Sequence, residues 1–281
     1  MRRITPVLFA LAAITLAAGC VACGASGTGA IAPAGGVVPI TRGTVPGATT
    51  MCEPYQATDV AGGTYTVQDD EWGSSAAQCV STTGGTGFTV TKSEIAKPAD
   101  GDPGSYPSIY AGCNWGACTQ GGLTDRPQQL GDMSPGAVTT TLATTDPAGG
   151  AYDVSYDIWL NRTSATSGAP DGAEVMVWLN RHGGVQPAGD QVASGVTIGG
   201  NQYDVWYSTN AGNGPCVTYL MTTGHTTVTN LDLLPLFEDG GQRGYLDPSW
   251  YLIAVEAGFE IWQGGAGLAV RDFSVALKDA A

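Results

Sequence analysis

The chain has 281 residues, and its 11 Lys and Arg residues against 25 Asp and Glu residues give a formal net charge of -14. Binding nucleic acid through its phosphates requires a basic surface, which so acidic a chain does not supply, so nucleic acid is excluded as an expected partner. Charged residues make up only 13% of the sequence while 42 residues are Gly, a balance that favours short strands and turns over long helices. We therefore expect an all-β protein.

The N-terminus has the composition of an export signal. Met1-Arg2-Arg3 precedes an apolar run from Val7 to Ala18, which is too short to span a bilayer but matches the apolar part of a secretory signal. The run ends near Cys20 in a sequence that resembles a bacterial lipoprotein signal, although Ala17 stands where a large aliphatic residue is usual. We expect a signal peptide over residues 1–23 and a secreted protein. Lipid anchoring to the cell envelope through Cys20 and ordinary cleavage nearby are the two alternatives.

The composition changes twice along the rest of the chain. Residues 24–50 are mainly Gly, Ala, Thr and Pro, which is the composition of a flexible linker. From residue 51 to 277 aromatic and β-branched residues alternate with polar ones, and Gly, Pro, Asp or Ser clusters interrupt them every ten or so residues. We expect one domain over 51–277, a short tail over 278–281 and a monomer.

Two segments carry the clearest two-residue period. In Tyr156–Asn161 and in Glu174–Asn180, one face is purely aliphatic or aromatic and belongs in a core. The opposite faces carry carboxylates beside Trp, Met and Asn, where a solvent-facing strand would normally carry Thr, Ser and Lys. These two faces are therefore candidates for a binding surface.

Two further segments repeat this pattern. In Trp250–Trp262 the residues Tyr251, Ile253 and Val255 are predicted to face the core, opposite Glu256 and Glu260. The segment Gln202–Ser208 alternates in the same way. Such strands predict a two-layer sandwich with a groove lined by Trp and carboxylates, which suits a neutral, extended sugar chain. One helix is predicted over Leu231–Glu238, with a stop at Asp239-Gly240-Gly241.

Paired carboxylates are the best candidates for catalysis. His182 and His225 lie in Gly- or Thr-rich stretches predicted as loops, and neither has a convincing Ser or Cys partner. A retaining glycosidase needs two carboxyl groups about 5–5.5 Å apart, and Glu174 and Glu260 are the best such pair, with Asp157 placed to orient the nucleophile. From alternation alone, ordinary solvated carboxylates remain the alternative interpretation.

Five cysteines follow the signal segment, in which Cys20 and Cys23 lie. In an oxidising compartment the spacing is compatible with two disulfides and one remaining thiol. Metal binding is the alternative, but the sequence lacks paired C-x-x-C motifs and has only two His residues. We expect neither a metal nor another cofactor. The candidate pairs are Cys52 with Cys79 and Cys113 with Cys118, which leaves Cys216 as a small buried hydrophobe.

Several segments in order resemble glycoside hydrolase family 12, most closely its secreted actinobacterial endoglucanases. The strongest matches are Tyr156–Leu160, Glu174–Asn180, Val185–Gly189 and Ala257–Gly265. The resemblance covers essentially all of 51–277, because it extends through Cys52–Tyr55, Trp72–Gly73, Ser105–Tyr110, Gly112–Cys118 and Gly267–Val270.

This resemblance implies a β-jelly roll of two antiparallel sheets with an open cleft and one short helix. It implies hydrolysis of internal β-1,4-glucosidic bonds in cellulose or related β-glucans with retention of configuration. Glu174 is then the nucleophile, Glu260 the acid/base, and Asp157 assists the nucleophile. Both candidate cysteine pairs match family disulfides. The resemblance also implies substrate contacts from Trp72, Asp70, Met176, Asn114, Trp115, Gln186, Pro187 and Trp262.

The sequence departs from the family at two places. Asp69-Asp70-Glu71 stands where many relatives carry an Asn pair, so the donor side of the cleft is more acidic. Ile261 and Gln263 flank Trp262 where relatives often have Pro and Glu. Glu256 falls outside the family motif and is interpreted as structural. The alternatives are a non-catalytic carbohydrate-binding protein that uses the same cleft and a xyloglucan-specific hydrolase.

Overall fold

The structure is a computed structural model that describes residues 47–278. The predicted signal peptide, nearly all of the predicted linker and the last three residues of the tail lie outside these residues. Within 47–278 the chain forms two β-sheets and one α-helix, which confirms the predicted all-β class and two-sheet jelly roll. None of the helices in this described range has the length and apolar character needed to span a bilayer.

Eighteen strands alternate with short turns along the described chain. The first nine are β1 (Thr50–Met51), β2 (Ala57–Val60), β3 (Tyr65–Gln68), β4 (Gln78–Thr82), β5 (Phe88–Ser93), β6 (Ser108–Asn114), β7 (Ala117–Cys118), β8 (Gln128–Gln129) and β9 (Val138–Thr145). The next six are β10 (Ala151–Asn161), β11 (Glu174–His182), β12 (Asp190–Ile198), β13 (Asn201–Ser208), β14 (Cys216–Met221) and β15 (Thr227–Asp232). The helix α1 (Leu234–Gln242) precedes β16 (Tyr251–Gly258), β17 (Ile261–Gln263) and β18 (Ala269–Leu277).

The strands divide into a smaller and a larger sheet. The six-stranded sheet has the order β1-β4-β5-β18-β9-β15. The twelve-stranded sheet has the order β12-β13-β14-β11-β10-β16-β6-β3-β2, with β17, β7 and β8 added on β10, β6 and β16. All pairs are antiparallel except β11 with β14, which corrects the prediction of two purely antiparallel sheets. A parallel pair needs a crossover, and the β12–β13 hairpin provides it.

The main core contains the apolar faces that the two-residue period predicted. Tyr156 and Ile158 of β10 and Val175 and Val177 of β11 are each fully buried in it. The opposite residues of β10 and β11 therefore point away from the core, because successive side chains of a strand alternate between faces. This second face of the twelve-stranded sheet, which carries Asp157, Glu174 and Glu256, is called the cleft face below.

One predicted face is wrong at the start of β16. Trp159 pairs with Ala254 while Leu160 pairs with Leu252, so Ile253 is an extra residue in a β-bulge. The bulge reverses the alternation before Ala254. Leu252 enters the main core, whereas Ile253 packs in a separate cluster with Trp159 and Ala254.

The helix begins and ends later than predicted. Its predicted first residues belong to β15, and Asp232 Oδ1 accepts the N–H of Leu234, the first helical residue, at 3.1 Å. The predicted stop does not end it, because Gly240 lies inside the helix. A Cβ at Gly240 would come within 2.7 Å of Leu246, so glycine is required here for close packing.

Both predicted disulfides form. Cys52 bonds to Cys79 and Cys113 bonds to Cys118. The first joins the residue after β1 to β4, its neighbour in the smaller sheet, and the second closes the tight turn between β6 and β7. Cys216 is a buried thiol at the start of β14.

Candidate active site

Carboxyl groups and aromatic rings meet in the middle of the cleft face. Asp157 of β10 lies directly between Met176 of β11 and Glu256 of β16 in the strand register. Glu256 in turn lies opposite Tyr110 of β6. Glu174 lies two residues before Met176 on β11 and is opposite Trp159. Because diagonal neighbours on one face of a sheet lie about 7–8 Å apart, Asp157 is within side-chain reach of Glu174.

Glu174 is the first residue of β11 and is partly buried between two strands. It lies opposite Cys216 of the parallel strand β14, and the Cys216 thiol hydrogen-bonds its carboxylate. Burial raises the pKa of Glu174 to about 7; the thiol opposes this rise, and the charge of Asp153 adds to it. Cys216 packs in a buried apolar cluster, as predicted for a small hydrophobe, and its thiol also favours the ionised form of Glu174.

Glu260 lies between the end of β16 and the start of β17, and its side chain is partly buried. Two hydrogen bonds hold this residue against β10: its N–H donates to Asp153 Oδ1, and its carbonyl accepts the N–H of Asp153, both at 3.0 Å. Sequence reasoning missed Asp153. The signal was available, because Asp153 precedes Asp157 by four residues and so shares its face.

Glu256 is the second carboxylate that the motif did not include. It is 1% exposed, and its Oε2 accepts hydrogen bonds from Gln68 Nε2 and Ser108 Oγ, each at 3.2 Å. Burial raises its pKa well above the ordinary range, and the charges of Asp70 and Glu174 raise it further. The interpretation of Glu256 as a structural residue agrees with these partners, but its carboxyl group belongs to the same electrostatic cluster as the candidate catalytic residues.

The pKa of the Tyr106 hydroxyl indicates that three carboxyl groups of the cleft face lie near one another. Tyr106 donates a hydrogen bond from its hydroxyl to the Ser155 carbonyl at 3.1 Å. Burial raises the pKa of Tyr106, and the charges of Asp157, Glu256 and Asp153 raise it further. Three carboxyl groups on β10 and β16 therefore act on one point of the cleft face. An arrangement in which neighbouring carboxyl groups share protons can supply both an acid and a base.

A family model described as glycosyl hydrolase family 12 matches residues 63–278. The chain belongs to glycosyl hydrolase family 12. It is an enzyme that hydrolyses glycosidic bonds.

Several known proteins similar to this family 12 member are named as endoglucanases or cellulases, others as xyloglucan-specific endoglucanases, and one as an inactive glycoside hydrolase. The protein named "Probable cellulase Cel12b" from Mycobacterium tuberculosis is 32% identical over 151 residues, which are 54% of this chain and 96% of that protein. The solved structure of endoglucanase Cel12A from Rhodothermus marinus is 39% identical, with a TM-score of 0.75 over 82% of this chain and 99% of that one. A metagenome-derived family 12 endoglucanase is 36% identical, with a TM-score of 0.76 over 83% and 99%.

Two tryptophans of this family 12 hydrolase offer exposed rings. Trp72 is 37% exposed after β3, and Trp115 is 45% exposed in the turn closed by the Cys113–Cys118 disulfide. Trp115 meets the ring of Trp159 edge to face at 4.6 Å, which fixes its orientation. Its neighbour Asn114 donates to Gln68 Oε1 at 3.3 Å and so joins the hydrogen bonds that reach Glu256.

Three of the predicted substrate contacts are buried. Met176 and Trp262 are each 2% exposed and pack in one apolar cluster, and Pro187 is also buried. The segment between β5 and β6 covers Trp262, since the Gly101 carbonyl accepts the indole N–H. These residues can support the cleft wall but present almost no stacking surface. Gln186 is exposed and accepts a hydrogen bond from Arg181 at 2.6 Å.

The three acidic residues before Trp72, Asp69, Asp70 and Glu71, all have raised carboxyl pKa values. Burial raises the pKa of Asp69 to about 6, although a hydrogen bond from Gln78 opposes the rise. Burial also raises the pKa of Asp70 to about 7, and the charge of Asp69 adds to this shift. Asp70 has a left-handed backbone with φ of 42° and is only partly exposed. The predicted sugar contact from Asp70 therefore involves a carboxyl group that gains a proton easily.

The histidines do not form a catalytic triad in the described structure. His182 is the last residue of β11, so its predicted loop position is wrong, whereas His225 does lie between two strands. The His182 ring stacks on Tyr152 at 5.5 Å, and its Nδ1 contacts the Gly150 carbonyl at 2.7 Å. These contacts indicate that His182 has a structural role.

The raised carboxyl pKa values predict that stability falls as pH rises from about 4 to about 7. Asp69, Asp70, Asp153 and Glu174 have pKa values of about 6 to 7, above the ordinary values near ~4, so the folded state binds more protons across this window. We expect a higher Tm at pH 5 than at pH 8 by differential scanning calorimetry.

The substitution Asp70→Asn should reduce that difference in Tm, because it removes one of the shifted groups. Asp190→Asn, on an exposed position of β12, is the matched control and should leave the difference unchanged. A Tm that rises steadily from pH 5 to pH 8 would contradict the assigned direction of these shifts.

Proposed function

We propose that this enzyme cleaves internal β-1,4-glucosidic bonds of cellulose and related β-glucans by double displacement, with Glu174 as nucleophile and Glu260 as acid/base. Endo-acting β-1,4-glucan hydrolysis is the activity of the family 12 members that it resembles. The observation that supports the residue assignment is the link of both residues to Asp153 of β10: its Oδ1 accepts the Glu260 N–H, and its charge raises the pKa of Glu174.

The first step forms a covalent glycosyl-enzyme. A Glu174 carboxylate oxygen attacks the anomeric carbon, and the bond from that carbon to the glycosidic oxygen breaks. Glu260 donates its proton to the departing oxygen. In the second step Glu260 takes a proton from water, the water oxygen attacks the anomeric carbon, and Glu174 leaves. Two inversions give net retention of configuration.

Asp157 is placed to assist the nucleophile. Its side chain is 7% exposed and lies diagonally across from Glu174 on the cleft face. Two carboxyl groups this close do not both ionise readily. Asp157 can therefore keep its proton and donate a hydrogen bond to the ionised Glu174. Asp157 then orients the Glu174 carboxylate and holds it ionised during attack.

A neutral polysaccharide fits the lining of the cleft face. Pyranose rings have apolar C–H faces that stack on exposed indoles, which Trp72 and Trp115 provide. Sugar hydroxyls need donors and acceptors, and the partly exposed Asn114 beside Trp115 offers an amide group.

Export of the enzyme agrees with its two disulfides, because disulfides persist in oxidising compartments. We infer that it acts outside the cytoplasm as a monomer. The export signal and a lipid anchor on Cys20 stay predictions, since both lie outside the described residues.

Product analysis on a panel of soluble glucans tests this function. Carboxymethylcellulose, mixed-linkage β-glucan and xyloglucan should lose viscosity before many reducing ends appear, as internal cleavage requires. Proton NMR of early products should detect the β-anomer first. The α-anomer appearing first would contradict retention. Retardation in a glucan affinity gel without any reducing-end release would identify a binding protein instead.

A further inference from the structure

Asp153 is a buried carboxyl group that the double displacement does not use. It is 0% exposed on β10 and lies on the cleft face, four residues before Asp157. Burying an ionisable group costs free energy unless the charge has partners. The partners of Asp153 therefore indicate what the group does.

Those partners fix the geometry of the neighbouring acid. Asp153 Oδ1 accepts the N–H of Glu260 at 3.0 Å and the hydroxyl of Ser155 at 2.9 Å. The Asp153 N–H donates to the Glu260 carbonyl at 3.0 Å. The reciprocal pair of bonds holds the backbone of Glu260 against β10 at the point where β16 ends.

The carboxyl group of Asp153 also interacts with the Glu260 side chain. Oδ2 is buried and completes no hydrogen bond of ordinary geometry among the described residues, yet hydrogen bonding with the Glu260 side chain lowers the pKa of Asp153. Burial is the larger effect and raises that pKa to about 6. Asp153 is thus mainly ionised at neutral pH, and a carboxylate beside a carboxylic acid favours retention of the acid's proton.

The groups around this pair add negative charge. The charge of Asp153 raises the pKa of Glu174, and the charges of Asp157, Glu256 and Asp153 raise the pKa of Tyr106. The cation opposite Asp153 in the register is Arg181. Its Nη1 instead donates to the Val185 carbonyl and to Gln186 Oε1.

We propose that Asp153 is a positioning residue that keeps the Glu260 carboxyl group protonated and oriented for donation to the leaving oxygen. This inference rests on the proposed role of Glu260 as the acid/base. It extends that role, because it names the group that sets the pH range over which Glu260 can donate.

The substitution Asp153→Asn tests the proposal, since Asn keeps an acceptor for the Glu260 N–H but removes the charge. The alkaline limb of kcat/KM against pH reports the pKa of the acid in the free enzyme. We expect this limb to move to lower pH by about one unit, because loss of the charge makes Glu260 release its proton more easily.

Asp232→Asn is the matched control. Asp232 accepts two backbone N–H groups, from Gly136 at 2.8 Å and from Leu234 at 3.1 Å, but lies in the smaller sheet. It should leave the alkaline limb unchanged. An unmoved limb in a folded Asp153→Asn variant would overturn the proposal.

Two further measurements distinguish failure of the proposed role of Asp153 from failure of the proposed function. A dinitrophenyl cellobioside needs no acid for departure of its leaving group, so at an alkaline pH that ionises Glu174 in both enzymes its glycosylation rate should be the same in Asp153→Asn as in wild type. If Glu260→Gln keeps wild-type turnover on glucan, the proposed function fails. If Glu260→Gln is inactive while Asp153→Asn leaves the pH profile unmoved, only the role of Asp153 fails.

Carbon-13 NMR of carboxyl-labelled wild-type enzyme covers the case in which Asp153→Asn does not fold. The Glu260 resonance, assigned by its loss in Glu260→Gln, should titrate in two coupled steps with the main step above pH 6. A single step near the ordinary carboxyl pKa would overturn the proposal.

Discussion

Glu174→Ala should reduce kcat/KM on soluble glucans by roughly 10⁴-fold or more, as expected for loss of a nucleophile. The Cys216 thiol that hydrogen-bonds the Glu174 carboxylate should not substitute for it, because no carboxylate then remains to form the glycosyl-enzyme. Reducing-end release at fixed protein concentration measures the loss. Glu238→Ala, on an exposed position of α1, makes the same chemical change away from the cleft face and should keep full activity.

Azide rescue of Glu174→Ala identifies the missing role. Azide can attack the anomeric carbon of a dinitrophenyl cellobioside from the face that Glu174 would use, with departure of the phenolate. One inversion gives the α-glycosyl azide. A β-glycosyl azide, or near-wild-type turnover of this variant on glucan, would contradict the assignment of Glu174 as nucleophile.

Glu260→Ala should have the second largest effect, and the effect should depend on the leaving group. Polysaccharide cleavage should fall by roughly 10²–10⁴-fold, because general acid catalysis contributes about that much. A dinitrophenyl cellobioside should still form the glycosyl-enzyme, since its leaving group needs no proton. Hydrolysis of that intermediate should then be slow, and stopped-flow absorbance should detect a burst of phenolate.

Azide also distinguishes this variant from the first. It should attack the glycosyl-enzyme of Glu260→Ala after one inversion has already occurred, so the product is the β-glycosyl azide. The alkaline limb of the pH profile should disappear with the acid. A variant that retains that limb would place the acid/base at another residue, and Glu256 would be the first to test because it lies beside Asp157.

Local alternation predicted the faces of the central strands because the side-chain period of a strand leaves little choice. Tyr156 and Val175 had to enter the core if their strands were strands, and Asp157 and Glu174 then had to face the cleft. Recognition of the family assigned roles to three acids that alternation alone could only place. The two-residue period of the strands therefore predicted where these side chains point, and the family resemblance predicted their chemical roles.

The structure departs from prediction where distant parts of the chain meet. Ile253 forms a bulge because of how β16 pairs with β10, and no local pattern encodes that register. Trp262 had the parity of an exposed ring, but the segment that contains Gly101 covers it. Asp153 was missed because the family motif begins after it. Its partner Glu260 is more than a hundred residues away, so only the tertiary structure joins them.

The parallel pairing of β11 with β14 has a consequence for how the enzyme reaches its active form. The chain must complete the β12–β13 hairpin before β14 can return beside Glu174. Pairing of strands so far apart in sequence is slow, since the entropy of closing the intervening chain is lost before the contacts form. The β14 side of the nucleophile's environment should therefore form after the pairing of β11 with the nearer strand β10, and activity should recover after the first β-structure during refolding.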